Sequence, residues 1–482
     1  MKNIFKYFVL LSFAMIAASC DDWLNETPKH NLTEDNVVTD YATAQNIVNG
    51  IYVVYAQKPY AGGTIYGCLG SQAGMFNNYT QHYEMSYTQT DCSNASSIWS
   101  ALYSCLNAAN AAVSGVDALD VNEFPSASAK TELLGEARCM RGFFNLNLLW
   151  LFGHWFDSAD SPYGLLYRDQ LANLSNIMTE RISVGESYEK VLEDLEYAEQ
   201  YAPDYTSAKY ASKQFAQALH AKLLLNRGWS GDYVAALQIV NNLMQTAPSS
   251  WKMEPNISQL YEDAWDSKEV LFARYLGKDD VTKTLATYET CYSYQLYQGS
   301  TYSKIADILK SDARYEYTFG TAYGPASWQS SISKKDVCVK LYHNGQTLGA
   351  YDKYCCYVFR KAELYLMKAE LLARTNPSDI QGALAPLNEM RAQYTTPVLE
   401  PITASTQDEL MDAIFKEYVV TLYLENETPW FITTRFNHDG RTWLQYLKED
   451  VDVSTDKYCW PIPDAEMEPR TNTVLQNPGM EG

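Results

Sequence analysis

Between Thr131 and Gly153 the apolar residues Leu133, Ala137, Met140, Phe144, Leu148 and Leu151 recur at spacings of four and three. That is one face of an α-helix, and from Phe143 onward the opposite face is apolar as well. A helix apolar on every side is buried on every side, so the pattern predicts a central strut, most deeply buried at its C-terminal end. Ser126 and Ser128 are candidate N-caps, and Gly153 offers a residue able to turn left-handed and stop the helix. Glu136, Arg138 and Arg141 place charge on its middle, where pairing with each other or with neighbouring helices is expected in preference to catalysis.

The same period recurs along the chain. Trp99, Leu102, Tyr103, Leu106 and Val113 mark a helix just before the strut, and the short connector predicts an antiparallel pair. Further helices follow at Tyr188 to Ala198, Phe215 to Leu223, Tyr233 to Met244, Phe359 to Ala373, Ile380 to Leu387 and Met411 to Leu422, with Gly228 and Gly231 as a break. Hairpins of this length predict an all-α fold of tetratricopeptide-like units packed as a scaffold, although no strict repeat aligns.

Two stretches, Gln57 to Ser96 and Gly277 to Cys356, lack the period and predict long irregular loops. Both are rich in Tyr, Gly, Ser, Thr and Asn, and loops held on a rigid scaffold are where binding residues concentrate. The first carries Tyr60, Tyr66, Phe76, Tyr79, Tyr83 and Tyr87 beside Asn77 and Asn78; the second carries Tyr288, Tyr292, Tyr294, Tyr297, Tyr302, Tyr323 and Trp328. The chain holds 38 Tyr against 16 Phe, and a ring with a polar tip suits surfaces that are half wet. Most of these rings would pack loop against scaffold. The candidate ligand platforms are Tyr79, Tyr83, Tyr292, Tyr294 and Trp328, with Asn77 and Asn78 as polar edges.

At the N-terminus Lys2 and Lys6 precede an apolar run from Tyr7 to Ala18, closed by Ala17-Ala18-Ser19-Cys20. This is a secretory signal too short for an ordinary membrane-spanning helix. A cysteine directly behind small residues is also a bacterial lipobox pattern, in which Cys20 takes lipid and several acyl chains anchor the protein stably. The formal charge is −21, and loss of residues 1 to 19, with Lys2 and Lys6 and no acid, takes it to −23. Such a surface repels phosphate backbones, which argues against nucleic acid as a partner. Of 10 cysteines, nine remain after Cys20, an odd number, and no C-x-x-C spacing suggests zinc, so no metal or cofactor is expected.

Glu136-Ala137-Arg138 followed by Arg141-Gly142-Phe143-Phe144 resembles the EA-x-x-x-RA-aromatic-aromatic helix of the SusD/RagB family of outer-membrane nutrient-binding lipoproteins, with Gly142 where that family usually has Ala. The resemblance extends along the mature chain. Cys20 through Pro28 is similar to the family's mature N-terminus, Trp99 with Tyr103, Asn107 and Asn110 to its W-x-x-x-Y…N-x-x-N helix, and Asp312-Ala313-Arg314 to its D-x-R. Ser187-Tyr188 with Asp194-Leu195, Ser212 through Trp229, and Phe359 through Glu370 match further helical motifs. The ending Trp460-Pro461-Ile462-Pro463, Glu466 and Gln476-Asn477-Pro478-Gly479 resembles the PIP…E…QNPG tail, the most specific match. One motif, from Lys416 to Arg435, is reduced to Glu417, Glu425, Trp430 and Arg435, which puts local structure there in question.

The resemblance implies residues 1–19 as signal peptide, 20–56 as lipidated N-terminus and first helix, 57–255 as the N-terminal helical region with a loop insertion at 57–96, and 256–482 as the C-terminal region with a loop-rich part at 277–356. It further implies an outer-membrane lipoprotein facing the exterior. Such a protein binds a glycan and passes it to a SusC-like TonB-dependent transporter. Two other readings stay open. Some members of the family take peptides, and 58 carboxylates allow a glycosidase-like pair, although no H-E-x-x-H, G-x-S-x-G or P-loop is present. The expectation is a binding protein without catalysis.

Overall fold

The computed structural model describes residues 38–76, 79–172, 176, 179–277, 303–323, 333–338, 340, 353–468 and 474–481. The strut is α5 (Ala127–Phe152), capped by the Ser126 hydroxyl, which accepts from the Ala129 amide at 3.1 Å. Every residue from Gly142 to Phe152 is buried, as the all-round apolar pattern requires. Its end differs from expectation. Gly153 has φ −102°, an extended conformation, because the chain leaves to pair His154 with Tyr163 rather than turning back on the helix.

Around α5 the preceding helices are α1 (Tyr41–Gln57), α2 (Gly63–Gln72), α3 (Thr80–Glu84) and α4 (Ser93–Ala118). Helices α1 and α4 pack on each other and both touch α5. On its other flank lies α6 (Val184–Tyr201), whose buried Asp194 receives Arg138 and Arg141, each at 2.7 Å. The charges on the strut are therefore fasteners. A Cβ at Gly142 would lie 3.2 Å from Leu195 and 3.3 Å from the Asp194 side chain, so the departure from the family's alanine accompanies a tight α5–α6 approach. Then come α7 (Lys213–Arg227) and α8 (Asp232–Thr246), joined through left-handed Gly228 and Gly231, and the short α9 (Ile257–Asp263).

The C-terminal half opens with strand β1 (Val270–Gly277) and continues through α10 (Ser303–Lys310), α11 (Tyr315–Thr318), β2 (Phe319–Tyr323), β3 (Ser333–Cys338) and β4 (Lys353–Arg360). Strands β1 and β4 pair antiparallel, Val270 opposite Arg360 and Gly277 opposite Lys353, so the chain departs and returns at one place. Helices α12 (Lys361–Thr375), α13 (Ile380–Ala392) and α14 (Gln407–Leu422) follow, with α12 against α8, α13 and α14. The chain closes with α15 (Thr428–Arg435), the hairpin β5 (Asn437–His438) and β6 (Arg441–Thr442), α16 (Trp443–Leu447) and α17 (Asp464–Met467). The mainly helical scaffold of hairpins matches the expected class.

Two loop expectations need correction. The stretch from Gln57 to Ser96 is largely helical, containing α2, α3 and the start of α4. Helix α2, GTIYGCLGSQ, is buried at every residue, so no polar face exists to produce a period, and its small residues read as loop composition. Tyr66, Phe76 and Tyr87 are core side chains, 2%, 2% and 1% exposed. The stretch from Gly277 to Cys356 likewise contains α10, α11 and the paired strands β2 and β3. These elements are too short for a periodic signal to stand out.

The eroded motif from Lys416 to Arg435 keeps its structure. Glu417 pairs with Arg314 at 2.8 Å and Arg391 at 2.7 Å, Glu425 with Arg360 at 2.6 Å, and Arg435 with Glu370 at 2.7 Å, while Trp430 is 1% exposed. The four surviving residues are those that carry buried contacts. Gln476 makes a reciprocal amide pair with the Ile462 backbone, and Asn477 donates to the carbonyls of Phe152 and Trp460. The tail motif thus ties the chain end to the end of α5.

Candidate functional site

Where the two aromatic stretches meet is set by a few buried contacts. After α2 the chain turns at Gly74, φ +74°, a conformation that favours glycine. It then buries Met75 and Phe76. The Met75 carbonyl accepts from the Tyr423 hydroxyl at 3.4 Å, and the Tyr423 ring lies 5.4 Å from Phe319, the first residue of β2. Tyr315 of α11 stacks on Phe319 at 4.8 Å. Tyr423 therefore joins the root of the first stretch to the root of the second.

A second bridge runs through the segment after α15. The Lys448 ammonium donates to the Gln72 carbonyl at 3.0 Å and sits 4.8 Å from the Tyr83 ring centre. Two residues earlier the Tyr446 carbonyl accepts from Lys304 of α10 at 2.8 Å, with the same ammonium 3.7 Å from the Tyr446 ring. Lys448 is 1% exposed, and among the described residues no carboxylate pairs with it. Burial pushes its pKa down to about 7. His82, buried between the rings of Trp460 at 4.8 Å and Tyr87 at 5.5 Å, is pushed down to about 3 by burial and then by the Lys448 charge, so it is a neutral structural ring at ordinary pH.

The second stretch is held from below by the D-x-R residues. Arg314 is 2% exposed and grips Asp312 and Glu417, both at 2.8 Å, fixing α11 on α14. Burial works against the Asp312 charge, but hydrogen bonds and charge from Arg314 hold its pKa down to about 2. Asn107 and Asn110 of the W-x-x-x-Y…N-x-x-N helix are similarly structural. Asn107 accepts from the Ala172 amide at 2.8 Å, and Asn110 donates to the carbonyls of Arg168 and Gln170.

Of the sequence-selected platforms, Tyr79 and Tyr83 are half-buried beside this junction, Tyr79 with its ring edge-on to His82 at 6.3 Å. Asn77, Asn78, Tyr292, Tyr294 and Trp328 lie outside the described residues, as does Cys20. What the sequence reading missed is the support: Gln72, Tyr423, Lys448 and Trp460. The Trp460 indole donates to the Gln72 side chain at 2.8 Å. Only Trp460 stood in a recognisable motif. The site as described is a rigid shelf with aromatic rings at its rim, and among the described residues no group of three or more His, Cys, Asp or Glu could hold a metal ion.

Two family models match the chain. One, described as starch-binding associating with outer membrane, covers residues 22–225, and the other, the SusD family, covers 292–480. A curated relative, SusD-like protein P2 of Formosa agariphila, is 24% identical over 99% of this chain and 100% of its own length. Among solved structures, a SusD superfamily protein from Bacteroides thetaiotaomicron superposes with a TM-score of 0.70 at 18% identity, covering 91% of this chain and all of that one. A laminarin-binding SusD-like protein superposes with a TM-score of 0.64 at 18% identity, covering 92% of this chain and all of that one.

Proposed function

This chain belongs to the SusD/RagB family, and from that premise we propose that it is a cell-surface lipoprotein that binds a glycan and delivers it to a TonB-dependent outer-membrane transporter. Cys20 would carry the lipid anchor. The observation that supports the ligand site is the junction at Tyr423 and Lys448, which brings the roots of both aromatic stretches to one shelf. Rings at such a rim offer the flat faces that sugar rings stack on, with amide side chains as hydrogen-bonding edges. The starch-binding, outer-membrane-associating family that matches residues 22–225 and the laminarin-binding structural neighbour support the same reading.

Catalysis is not part of this reading. The buried carboxylates near the junction among the described residues, Asp312, Glu417 and Glu425, are each paired with an arginine or lysine and so serve as fasteners between helices. The test is calorimetry of the purified protein against panels of oligosaccharides and peptides. Saturable oligosaccharide binding with no release of reducing ends is expected. Binding of peptides alone would overturn the glycan reading, and turnover that follows the pure protein would overturn the absence of catalysis. Cys20→Ala should shift the protein out of the membrane fraction, and unchanged fractionation would remove the anchor from the proposal.

A further inference from the structure

Along its first half, through Gln45, Val48 and Asn49, α1 faces α5 and the connector between α6 and α7 across a cavity of about 230 Å³. Its polar lining includes Gln45 and Asn49 from α1, Glu136 from α5, and Asp204, Tyr210 and Ser212 from the connector. Glu136 is only 9% exposed. The Tyr52 hydroxyl donates to its Oε1 at 2.6 Å and itself accepts from the Ala211 amide at 2.9 Å, so the carboxyl is oriented by a fixed relay. Its Oε2 has no partner among the described residues and is the oxygen left open to the cavity.

Two of the remaining groups add acceptor oxygens. Gln45 gives its amide nitrogen to the Tyr41 hydroxyl at 3.1 Å, leaving its carbonyl oxygen, and Asp204 has one oxygen engaged by Gln214 at 3.1 Å, leaving the other. Tyr210 is 41% exposed, its ring edge-to-face with Tyr52 at 5.2 Å, so it presents an open π-face at the rim. No lysine, arginine or histidine is among the lining residues. Two carboxyl groups, amide oxygens and an open aromatic face select for positive charge with several N–H donors.

We propose that this cavity binds the primary ammonium group of a small organic cation, with Glu136 Oε2 as its charged acceptor and Tyr210 as the ring beside it. A quaternary ammonium lacks the donors that the carboxyl and amide oxygens require, and a neutral sugar leaves the carboxyl uncompensated. Burial raises the Glu136 pKa to about 7, opposed in part by the Tyr52 hydrogen bond. The other titratable groups near Glu136 are Tyr52, Cys139 one turn on along α5, Asp204 and Tyr210. A bound cation favours the ionised carboxylate, so binding below pH 7 releases a proton and the affinity is higher at pH 8 than at pH 6.

The test titrates the full purified protein with n-butylammonium, tetramethylammonium and glucose at pH 6 and pH 8, and with glucosamine at pH 6, where its amine is protonated, in buffers of different ionisation enthalpy. Binding of butylammonium or glucosamine but not of glucose is expected, with proton release at pH 6, and the two amines distinguish an alkyl chain from a sugar as the carrier. Glu136→Gln should weaken binding at least tenfold and abolish the proton release. Tyr210→Ala, at a ring that is 41% exposed, should weaken it several-fold. Equal binding of glucose and butylammonium, tetramethylammonium binding as tightly as butylammonium, or unchanged affinity in Tyr210→Ala and Asp204→Asn would overturn the proposal. Tyr83→Ala should leave ammonium binding unchanged, because the cavity and the aromatic shelf are built from different elements.

Discussion

Buried charge is handled in two opposite ways in this molecule. In the C-terminal core, Arg360, 2% exposed, lies between Glu269 and Glu425, with Lys340 on the second oxygen of Glu425 at 2.5 Å. Close by, Lys222 holds Glu363 at 2.8 Å and Glu427 at 2.6 Å. Burial works against the Lys222 charge, but its two carboxylates outweigh it and keep its pKa above the usual lysine value. Lys448 is as deeply buried and, among the described residues, has a backbone carbonyl and the Tyr83 ring as its partners. Matched charges fasten helices, and against burial their partners hold Arg360 and Lys222 up and Glu425 down, although burial still raises Glu269 and Glu363 and lowers Lys340; the unmatched lysine is depressed by burial alone. The unmatched cases, Lys448 and Glu136, stand beside the ligand shelf and in an open cavity respectively, whereas the matched ones stand where helices cross.

Breaking a matched cluster should have the largest effect. Glu425→Ala strands Lys340 and half of Arg360 in the core, and removing one partner of a buried pair costs about 3–5 kcal/mol. Urea unfolding monitored by circular dichroism should show a loss of that order. A loss below about 1 kcal/mol would mean that water or backbone carbonyls replace the carboxylate, and the contrast between fasteners and unmatched charges would fail.

The unmatched lysine should reveal itself through pH. Its folded pKa of about 7 lies below the ordinary lysine value of 10.5. Between those limits the unfolded chain binds a proton that the folded chain has lost, so stability rises with pH, and the penalty is complete below pH 7. The slope is at most about 1.4 kcal/mol per pH unit, giving on the order of 2–3 kcal/mol between pH 7 and pH 9. Comparing wild type with Lys448→Met isolates this group, since other residues also titrate there. The difference in unfolding free energy between wild type and Lys448→Met should change across pH 7–9. A flat difference would mean that Lys448 remains charged when buried.

The same division explains what the sequence revealed. Family motifs coincide with fasteners: Asp194 under Arg138 and Arg141, Asp312 with Arg314, Asn477 on the end of α5. Such contacts need a particular residue at a particular place, so they survive as readable patterns at 24% identity or less. Helical period exposed the strut because half of its surface changes from wet to dry. It missed α2, whose every residue is buried, and so placed Tyr66 and Phe76 in a loop when they are core. Tyr423, Lys448 and Gln72 were invisible for another reason. Each supports the shelf through a contact with a residue hundreds of positions away or through a backbone carbonyl, and neither leaves a local signature. The platforms themselves fall in irregular segments, where composition points to a site but spacing cannot choose among rings.

The smallest expected effect concerns one of those rings, and its size discriminates between platform and packing. Tyr83 is half-buried, with the Lys448 ammonium against its ring. As a ligand platform it would contribute roughly 0.5–1.5 kcal/mol beyond its buried area. Even about 1 mM affinity requires roughly 4 kcal/mol net of the entropy lost on association, so no single ring can hold the ligand. Several rings acting together would bind an oligosaccharide between micromolar and millimolar while scarcely holding a monosaccharide. Tyr83→Ala should therefore weaken oligosaccharide binding by up to about tenfold, which is 1.4 kcal/mol. It should also open Lys448 to water, relieving the burial that depresses its pKa and flattening the rise of stability with pH in the neutral range. Tyr79→Ala, whose ring faces His82 instead, should match it in the first effect and lack the second. A Tyr83→Ala protein that keeps full affinity but shows the altered pH profile would make Tyr83 a lid over Lys448 and move the sugar platform to another ring.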